Sequence, residues 1–229
     1  MRAAIISDLH ANLPALTAVL NDMSPVDAIF CCGDVVGYYP DANEVCEEIR
    51  RLGIETIRGN HDAYVTGHLA ADPVRSSVYR VEWTKETLTT ENYRWLDSLG
   101  TEKKFDLDGW QLTLRHANFE DEEEYLYPDS PALGEFDLSD DEIVCFGHTH
   151  HPMLVSAGKG KIVNPGSVGQ PRDWNPDSSY AIIDSADRSV EFRRAAYDVR
   201  GVQARLRKMG WDQMAIDILG RRKTEQDEK

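Results

Sequence analysis

Short apolar runs alternate with amphipathic segments over the first sixty residues, and this alternation restricts the fold more than any other feature of the chain. Apolar runs at 3–7, 27–32 and 54–57 predict buried strands. Between them, the segment that follows Asn12 and the segment 41–52 carry apolar residues at helical spacing. The order strand, helix, strand, helix, strand predicts right-handed βαβ units and a parallel sheet.

The rest of the chain predicts further strands after a middle segment of different character. Residues 74–99 predict mostly helix, and alternating residues on either side of Asp108-Gly109 predict a β-hairpin. Residues 117–141 predict a loop with an acidic run at 120–124, expected to be solvated. Further strands are predicted at 143–146, 153–156, 161–163, 180–184 and 190–194, and helices at 198–208 and 211–219.

We expect a single α/β domain over residues 1–229, because neither an internal repeat nor a linker interrupts the pattern. Within this domain, residues 64–135 are expected to form a helical and loop cap insertion on which substrate choice depends. Residues 222–229 are charged and predict a frayed tail.

Polar residues stand at or just after the ends of apolar strands, where an α/β sheet gathers functional groups at one edge. The clusters are Asp8-Leu9-His10, Gly33-Asp34, Gly59-Asn60-His61-Asp62, His116 and Gly147-His148-Thr149-His150. Together they offer seven candidate metal ligands, namely Asp8, His10, Asp34, Asn60, His116, His148 and His150. Seven ligands are too many for one ion, and mixed nitrogen and oxygen donors favour transition metals over Ca²⁺ or Mg²⁺. We expect two divalent ions, with manganese first and iron, cobalt, nickel or zinc as alternatives.

The order of these clusters resembles the calcineurin-like metallophosphoesterase superfamily, whose pattern reads D-x-H, G-D, G-N-H-D, H and G-H-x-H. The later run Asn164-Pro165-Gly166-Ser167-Val168-Gly169-Gln170-Pro171-Arg172-Asp173 resembles its small YfcE/MJ0936-like phosphatase and phosphodiesterase branch. The similarity extends from Ser7 to about Asp184. It implies a four-layer αββα sandwich with metal ions at one rim.

The resemblance also implies a role for each residue of the clusters. The first ion would be held by Asp8, His10 and His150, and the second by Asn60, His116 and His148. Asp34 would bridge the two ions, and His61 would protonate the leaving oxygen or stabilise the transition state. Two ions roughly 3.5–4 Å apart clamp the attacking and leaving oxygens of a displacement at phosphorus, and a metal-bridging hydroxide is the expected nucleophile.

Two departures from the superfamily stand out. Its Ser/Thr protein phosphatases carry G-D-x-x-D-R-G, whereas Gly37 and Tyr38 replace that aspartate and arginine here. His61 therefore lacks the aspartate partner, and a phosphoprotein is not expected as the main substrate. Ala117 stands where the small branch usually has glycine, which a negative φ would accommodate.

We expect hydrolysis of phosphomonoesters or phosphodiesters of small metabolites or nucleotides. Arg172 and Asn12 are candidates for binding the substrate phosphate, with a structural role in a loop as the alternative for each. A dinucleoside-polyphosphate hydrolase is the alternative in the same chemical class, and it requires a basic subsite that the sequence does not reveal. A non-catalytic scaffold on the same fold is disfavoured, because such relatives lack part of the ligand set or the histidine at the His61 position.

Charge and cysteine content limit the partners. The formal net charge of -15, from 40 acidic and 25 basic residues, opposes binding to a nucleic-acid polymer or an anionic membrane. The four cysteines show no disulfide pattern, and no apolar run reaches the length of a membrane span or resembles a signal sequence. We expect a cytoplasmic protein whose partner is a small phosphorylated substrate. Exposed apolar faces would allow a homo-oligomer.

Overall fold

The first of two five-stranded β-sheets contains the three strands predicted at the start of the chain. The computed structural model describes residues 1–222, so the predicted tail lies, except for its first residue, outside the described residues. The strands are β1 (Arg2–Ile6), β2 (Ala28–Cys31), β3 (Glu55–Thr56), β9 (Ser178–Asp184) and β10 (Ser189–Ala195), in the order β10-β9-β1-β2-β3. Strands β1, β2 and β3 are parallel, as the βαβ pattern predicts. Strands β9 and β10 add an antiparallel hairpin, so the sheet is mixed.

Helices α1 (Leu13–Asp22) and α2 (Ala42–Arg51) connect these parallel strands and cover one face of the sheet. Helix α1 begins where the Asn12 side chain accepts a hydrogen bond from the backbone of Ala15. Its Leu16 and Val19 are buried with Val45 and Ile49 of α2. The same core cluster includes apolar side chains of α7 (Val199–Lys208) and α8 (Gln213–Ile218). Each large apolar side chain buried in this way contributes about 1.5–3 kcal/mol.

The second sheet faces the first across a second apolar cluster. Its strands are β4 (Glu102–Leu107), β5 (Trp110–Arg115), β6 (Glu142–Cys145), β7 (Pro152–Ala157) and β8 (Gly160–Pro165), in the order β4-β5-β6-β8-β7. Alternate residues of β1, Ala3 and Ile5, point between the sheets and meet Leu112 and Leu114 of β5. Since side chains alternate between faces along a strand, the intervening residues of β1 pack against the helices instead.

The α/β sandwich is confirmed, with one difference in its fourth layer. Within the described residues, the outer face of the second sheet is covered by the segment 117–141 rather than by α-helices. This segment contains a 3₁₀-helix, Pro131–Glu135, and it buries Leu126 and Leu133 against Val144 and Phe146. A regular helix does not form there because proline, glycine and consecutive acidic residues interrupt the helical pattern.

The predicted cap insertion at 64–135 is too wide. Residues 102–115 form β4 and β5, which are strands of the second sheet. The predicted helical segment divides into α4 (Pro73–Tyr79), α5 (Val81–Thr87) and α6 (Thr90–Asp97), because Arg80 adopts a left-handed φ of 59° and Thr89 caps a new helix. Helices α5 and α6 contribute Val81 and Leu96 to the core. Helix α4 has no fully buried residue.

None of the helices within residues 1–222 combines the length and apolar character needed to cross a membrane.

Candidate metal centre

The seven predicted ligands meet at one edge of the two sheets, in loops that follow β1, β2, β5 and β6 and at the start of the helix that follows β3. They form two overlapping groups whose ligand atoms lie within 4.8 Å of one another: Asp8, His10, Asp34 and His150 in the first, and Asp34, His116 and His148 in the second. Asn60 joins the second group, since its Oδ1 lies 2.9 Å from His116 Nε2 and 2.9 Å from His148 Nδ1. Asp34 therefore belongs to both groups.

Each of the four ligand histidines has one ring nitrogen against a backbone carbonyl. The pairs are His10 Nδ1 with Val36 O at 3.3 Å, His116 Nδ1 with Cys32 O at 2.7 Å, His148 Nε2 with Glu123 O at 3.0 Å, and His150 Nδ1 with Gln170 O at 2.6 Å. A carbonyl oxygen can only accept, so the ring nitrogen that faces it carries the hydrogen. In the neutral imidazole the opposite nitrogen then presents a lone pair to the cluster, which is how metal-binding histidines are oriented.

Two of these lone pairs point at each other. His10 Nε2 and His150 Nε2 are 3.0 Å apart, and neither can donate to the other while its second nitrogen bonds a carbonyl. A cation between them removes this repulsion, so the donor set fits a metal ion. Burial lowers the pKa of His10, of His150 and of His148, the last to about 3, and so keeps these rings in the neutral form that binds metals.

The two carboxylates are charged although they are buried. Burial alone would raise the pKa of Asp34 and of Asp8, but the nearby His116 and His150 imidazoles hold both pKa values below the usual range. Asp34 Oδ1 accepts from the backbone N–H of His61 at 2.8 Å. Its Oδ2 lies 3.7 Å from His10 Nε2 and 3.3 Å from His116 Nε2, and so between the two groups.

His116 differs from the other three candidate histidine ligands, because its pKa is raised rather than lowered. Burial opposes its protonation, but Asp34 and Asp8 outweigh burial and raise the pKa of His116 to about 10. A divalent cation in the cluster would displace that proton, because a metal ligand must offer its lone pair.

The ligand loops are held in an uncommon backbone conformation. Five of the seven candidate ligands have a positive φ: Asp8 at 54°, His10 at 50°, Asp34 at 54°, His148 at 69° and His150 at 61°. Non-glycine residues in this region cost of order 1–3 kcal/mol each, and they concentrate at functional sites. Glycines allow the loops to approach one another, since a Cβ on Gly59 would collide with the Asp34 carboxylate.

His61 lies beside the ligand groups, in the first turn of α3 (Asn60–Thr66). Its ring centroid is 4.4 Å from that of Tyr79 and 4.8 Å from those of Tyr38 and His10. Burial lowers the pKa of His61 to about 4. Its Nδ1 is buried without a hydrogen-bond partner among residues 1–222, and it faces Gly37, where an added Cβ would lie 2.6 Å away.

The sequence profile of the calcineurin-like phosphoesterase superfamily domain matches residues 1–188. The chain belongs to this superfamily. It is a metal-dependent phosphoesterase, and the YfcE phosphodiesterases are among its sequence relatives. A metallophosphoesterase from Sphaerobacter thermophilus has the same fold, with a TM-score of 0.82 and 33% sequence identity over 96% of this chain and 98% of that one.

Two sequence relatives extend the comparison. An uncharacterized protein of Methanocaldococcus jannaschii is 38% identical over 217 residues, which cover 86% of this chain and 88% of the relative. Phosphodiesterase YfcE of Escherichia coli K12 is 26% identical over 204 residues, which cover 83% of this chain and 91% of the relative. The similarity thus extends over most of each protein.

Tyr64 and Glu123 also belong to the centre of this phosphoesterase, although sequence reasoning did not identify them. The Tyr64 hydroxyl accepts from Asn60 Nδ2 at 3.2 Å and donates to the Glu123 carboxylate. The Glu123 carbonyl accepts from His148 Nε2, and the Tyr125 ring stacks on the His148 ring at 4.1 Å. The acidic run at 120–124 was expected to be a solvated loop. Its Glu123 instead contacts Tyr64 and His148, so part of the run packs against the second ligand group.

The two candidate substrate-binding residues differ in their surroundings. Both Nδ2 hydrogens of Asn12 are used, by Gly169 O at 2.8 Å and by the Tyr197 hydroxyl at 3.3 Å, and its Oδ1 caps α1. No Nδ2 hydrogen of Asn12 remains for a phosphate, which favours the alternative of a structural role in the loop, and binding of substrate by Asn12 stays a prediction. The Arg172 guanidinium instead lies beside the centre, 3.1 Å from the Tyr38 hydroxyl.

Ala117 is accommodated as expected. It is buried next to His116, and it is not among the residues of the described chain that have a positive φ. Its methyl group therefore causes no backbone strain at this position.

Proposed function

We propose that this phosphoesterase hydrolyses phosphomonoesters or phosphodiesters of small metabolites or nucleotides with two divalent ions. The proposed ligands are Asp8, His10 and His150 for the first ion, Asn60, His116 and His148 for the second, and Asp34 for both. The observation that carries the proposal is the position of Asp34 between two groups of inward-facing histidine nitrogens. When bound, two such ions activate a water molecule as nucleophile and neutralise phosphate charge.

His61 is the proposed residue that protonates the leaving oxygen or stabilises the transition state. Its pKa of about 4 favours the second role, because an imidazole that is neutral near pH 7 donates a hydrogen bond through its N–H rather than a proton. The backbone N–H of His61 bonds Asp34, so its position is tied to that of the shared ligand. Arg172 is the proposed phosphate-binding side chain, because it supplies a fixed positive charge beside the centre.

Manganese is the proposed ion, with iron, cobalt, nickel and zinc as alternatives that suit the same donors. A cytoplasmic location is proposed because the four cysteines show no disulfide pattern, as is typical of a reducing compartment. A small phosphorylated partner is proposed because the net charge of -15 disfavours nucleic-acid polymers and anionic membranes.

The test is hydrolysis of p-nitrophenyl phosphate and bis-p-nitrophenyl phosphate by chelator-treated protein titrated with Mn²⁺ and, separately, with Fe²⁺, Co²⁺, Ni²⁺ and Zn²⁺. We expect activity to appear with metal and to fall at least roughly 10²-fold in His61→Ala, as for loss of a residue in either role. His68→Ala is the matched control, because His68 is an exposed histidine that pairs with Asp97. Absence of turnover with all five metals, despite two bound ions, would disprove the proposal. The preferred ester would separate monoesterase from diesterase.

A further inference from the structure

A large cavity lies directly outside the candidate metal centre. Its volume is about 890 Å³, which is at the upper end of the range for small-molecule sites and larger than a phosphate group needs. Helices α4 and α8 form its outer walls, and they carry the most exposed large apolar side chains in the described chain, Val74 at 83% and Met214 at 69%.

Three tyrosines form the wall of the cavity nearest the centre. The Tyr38 and Tyr79 rings pack against the His61 ring, and the Tyr125 ring stacks on the His148 ring. A molecule in the cavity would therefore contact aromatic side chains that themselves pack against His61 and His148 of the candidate centre. Stacking of a nucleobase on an aromatic side chain is favourable for every base, because each base has a π-face.

Three arginines also line the cavity, in a protein whose net charge is -15. Arg172 lies near the centre, where its guanidinium carbon is 6.0 Å from the Tyr38 ring centroid. Arg75 lies on α4 and Arg221 lies just after the end of α8, with Asp217 as the acidic residue of the same lining. Arg75 and Tyr79 belong to the same helix, α4, and both line the cavity. Positive charge thus occurs at two depths of the cavity.

We propose that this cavity binds a nucleotide substrate with two phosphate groups. The scissile phosphate lies at the metal ligands and Arg172, the base packs against Tyr38, Tyr79 and Tyr125, and the remote phosphate pairs with Arg75 or Arg221. The inference rests on the proposed function, since it assumes that the ligand groups receive the scissile phosphate. It also supplies the basic subsite that the sequence did not reveal.

Recognition of the nucleobase by the cavity is tested by calorimetric titration of the Mn²⁺-loaded protein. The ligands are phosphonate analogues of adenosine 5′-monophosphate and ribose 5-phosphate. The C–P bond prevents hydrolysis, and the two analogues differ only in the base. We expect the adenosine analogue to bind roughly 10-fold more tightly, within the range for stacking on aromatic side chains. Tyr79→Leu should reduce that ratio at least about 3-fold, whereas Tyr79→Phe, which keeps the ring, should preserve it.

The remote phosphate is tested by adding a 3′-phosphate mimic, also joined through a C–P bond so that it resists hydrolysis, to the adenosine analogue. We expect this group to improve affinity about 3-fold or more at low salt, and less at high salt. Arg75→Glu and Arg221→Glu combined should abolish the improvement, and the two single variants show which arginine pairs with the phosphate. Arg207→Glu is the matched control, because Arg207 is an exposed arginine of α7 outside the cavity lining.

These experiments distinguish failure of the cavity proposal from failure of the proposed function. Ester hydrolysis together with equal binding of the adenosine and ribose analogues would overturn the cavity proposal and leave the proposed function intact. Tight, Tyr79-dependent binding of the adenosine analogue without hydrolysis of any ester would support the cavity and overturn the proposed function. Base recognition without any effect of the 3′-phosphate would overturn the assignment of Arg75 and Arg221.

Discussion

The two ligand groups share Asp34, but the protein holds them in different ways. In the first group, Asp8 and His10 are fully buried and His150 is 2% exposed, and both histidines bond carbonyls of internal loops, at Val36 and Gln170. These loops are fixed further because the Ser167 hydroxyl and the Gly169 N–H both donate to the Asp8 carbonyl. The first group is therefore built into the core.

The second group lies nearer the surface. Its own members, Asn60, His116 and His148, are 4–5% exposed. Two of them, Asn60 and His148, are oriented through Tyr64 and Glu123, and Glu123 belongs to the loop that covers the second sheet. Because loops open more readily than core segments, we expect the second ion to bind more weakly and to respond to changes in that loop.

Removal of the shared charge should have the largest effect. Asp34→Asn keeps an oxygen that can accept from the His61 N–H but removes the negative charge between the two groups. We expect fewer than two Mn²⁺ ions bound per chain and an activity loss of more than about 10²-fold, since even outer ligand partners account for 10–100-fold. Metal content by mass spectrometry, measured beside the hydrolysis rate, checks both. Unchanged binding of two ions would mean that the groups do not depend on Asp34.

Gly37 should separate the position of His61 from metal binding. Gly37→Ala places a methyl group 2.6 Å from the His61 Nδ1 and forces a φ of 95° on a non-glycine residue. We expect hydrolysis to fall roughly 10²-fold, because a displacement of about 1 Å is enough for such a loss. Metal content should remain at two ions.

The control for this variant is Gly53→Ala. Gly53 also has a positive φ, of 63°, but an added Cβ there has no neighbour within 4 Å. It should lower stability by about 1–2 kcal/mol, the cost of the left-handed conformation, and leave hydrolysis unchanged. Equal activity losses in both variants would show that backbone strain, rather than displacement of His61, is responsible.

The sequence predicts the metal ligands themselves, but not the residues that orient the second ligand group, Tyr64 and Glu123. Apolar strands that end in polar clusters identify Asp8, Asp34 and the histidines, because parallel strands must end at a common edge. The same patterns predict β1, β2 and both connecting helices. These elements depend on short-range periodicity, which a single sequence displays directly.

What the sequence does not show depends on contacts between distant segments. Glu123 meets Tyr64 across 59 residues, and an acidic run alone cannot indicate which of its members turns inward. The side-chain amide of Asn12 could donate to a phosphate, but its N–H groups instead donate to Gly169 and Tyr197, which lie more than 150 residues away in the sequence. The sequence could have predicted the contact between Tyr64 and Asn60, because the two residues lie one helical turn apart in α3.

Loss of the Tyr64 hydroxyl should weaken the second ion alone. Tyr64→Phe removes the acceptor for Asn60 Nδ2 and the donor to Glu123. We expect the weaker step of a two-step Mn²⁺ binding isotherm to shift about 10–100-fold, with the tighter step unchanged. Tyr93→Phe is the control, since the Tyr93 hydroxyl also bonds α3, at Thr66 O, away from the ligands. A shift in both steps would contradict the separate support of the two groups.

The charge of the Glu123 carboxylate should affect binding of the second ion less than the Tyr64 hydroxyl that donates to it. Glu123→Gln retains an oxygen that can accept from Tyr64 and retains the carbonyl that bonds His148, but it removes a negative charge. Since charge-assisted hydrogen bonds are about twice as strong as neutral ones, we expect the weaker Mn²⁺ step to shift only about 2–5-fold. Glu124→Gln, the neighbouring carboxylate that bonds Asn118, should leave the isotherm unchanged. A loss as large as that of Tyr64→Phe would instead mean that the Glu123 charge acts on the second ion directly, and that the loop supplies part of the metal site.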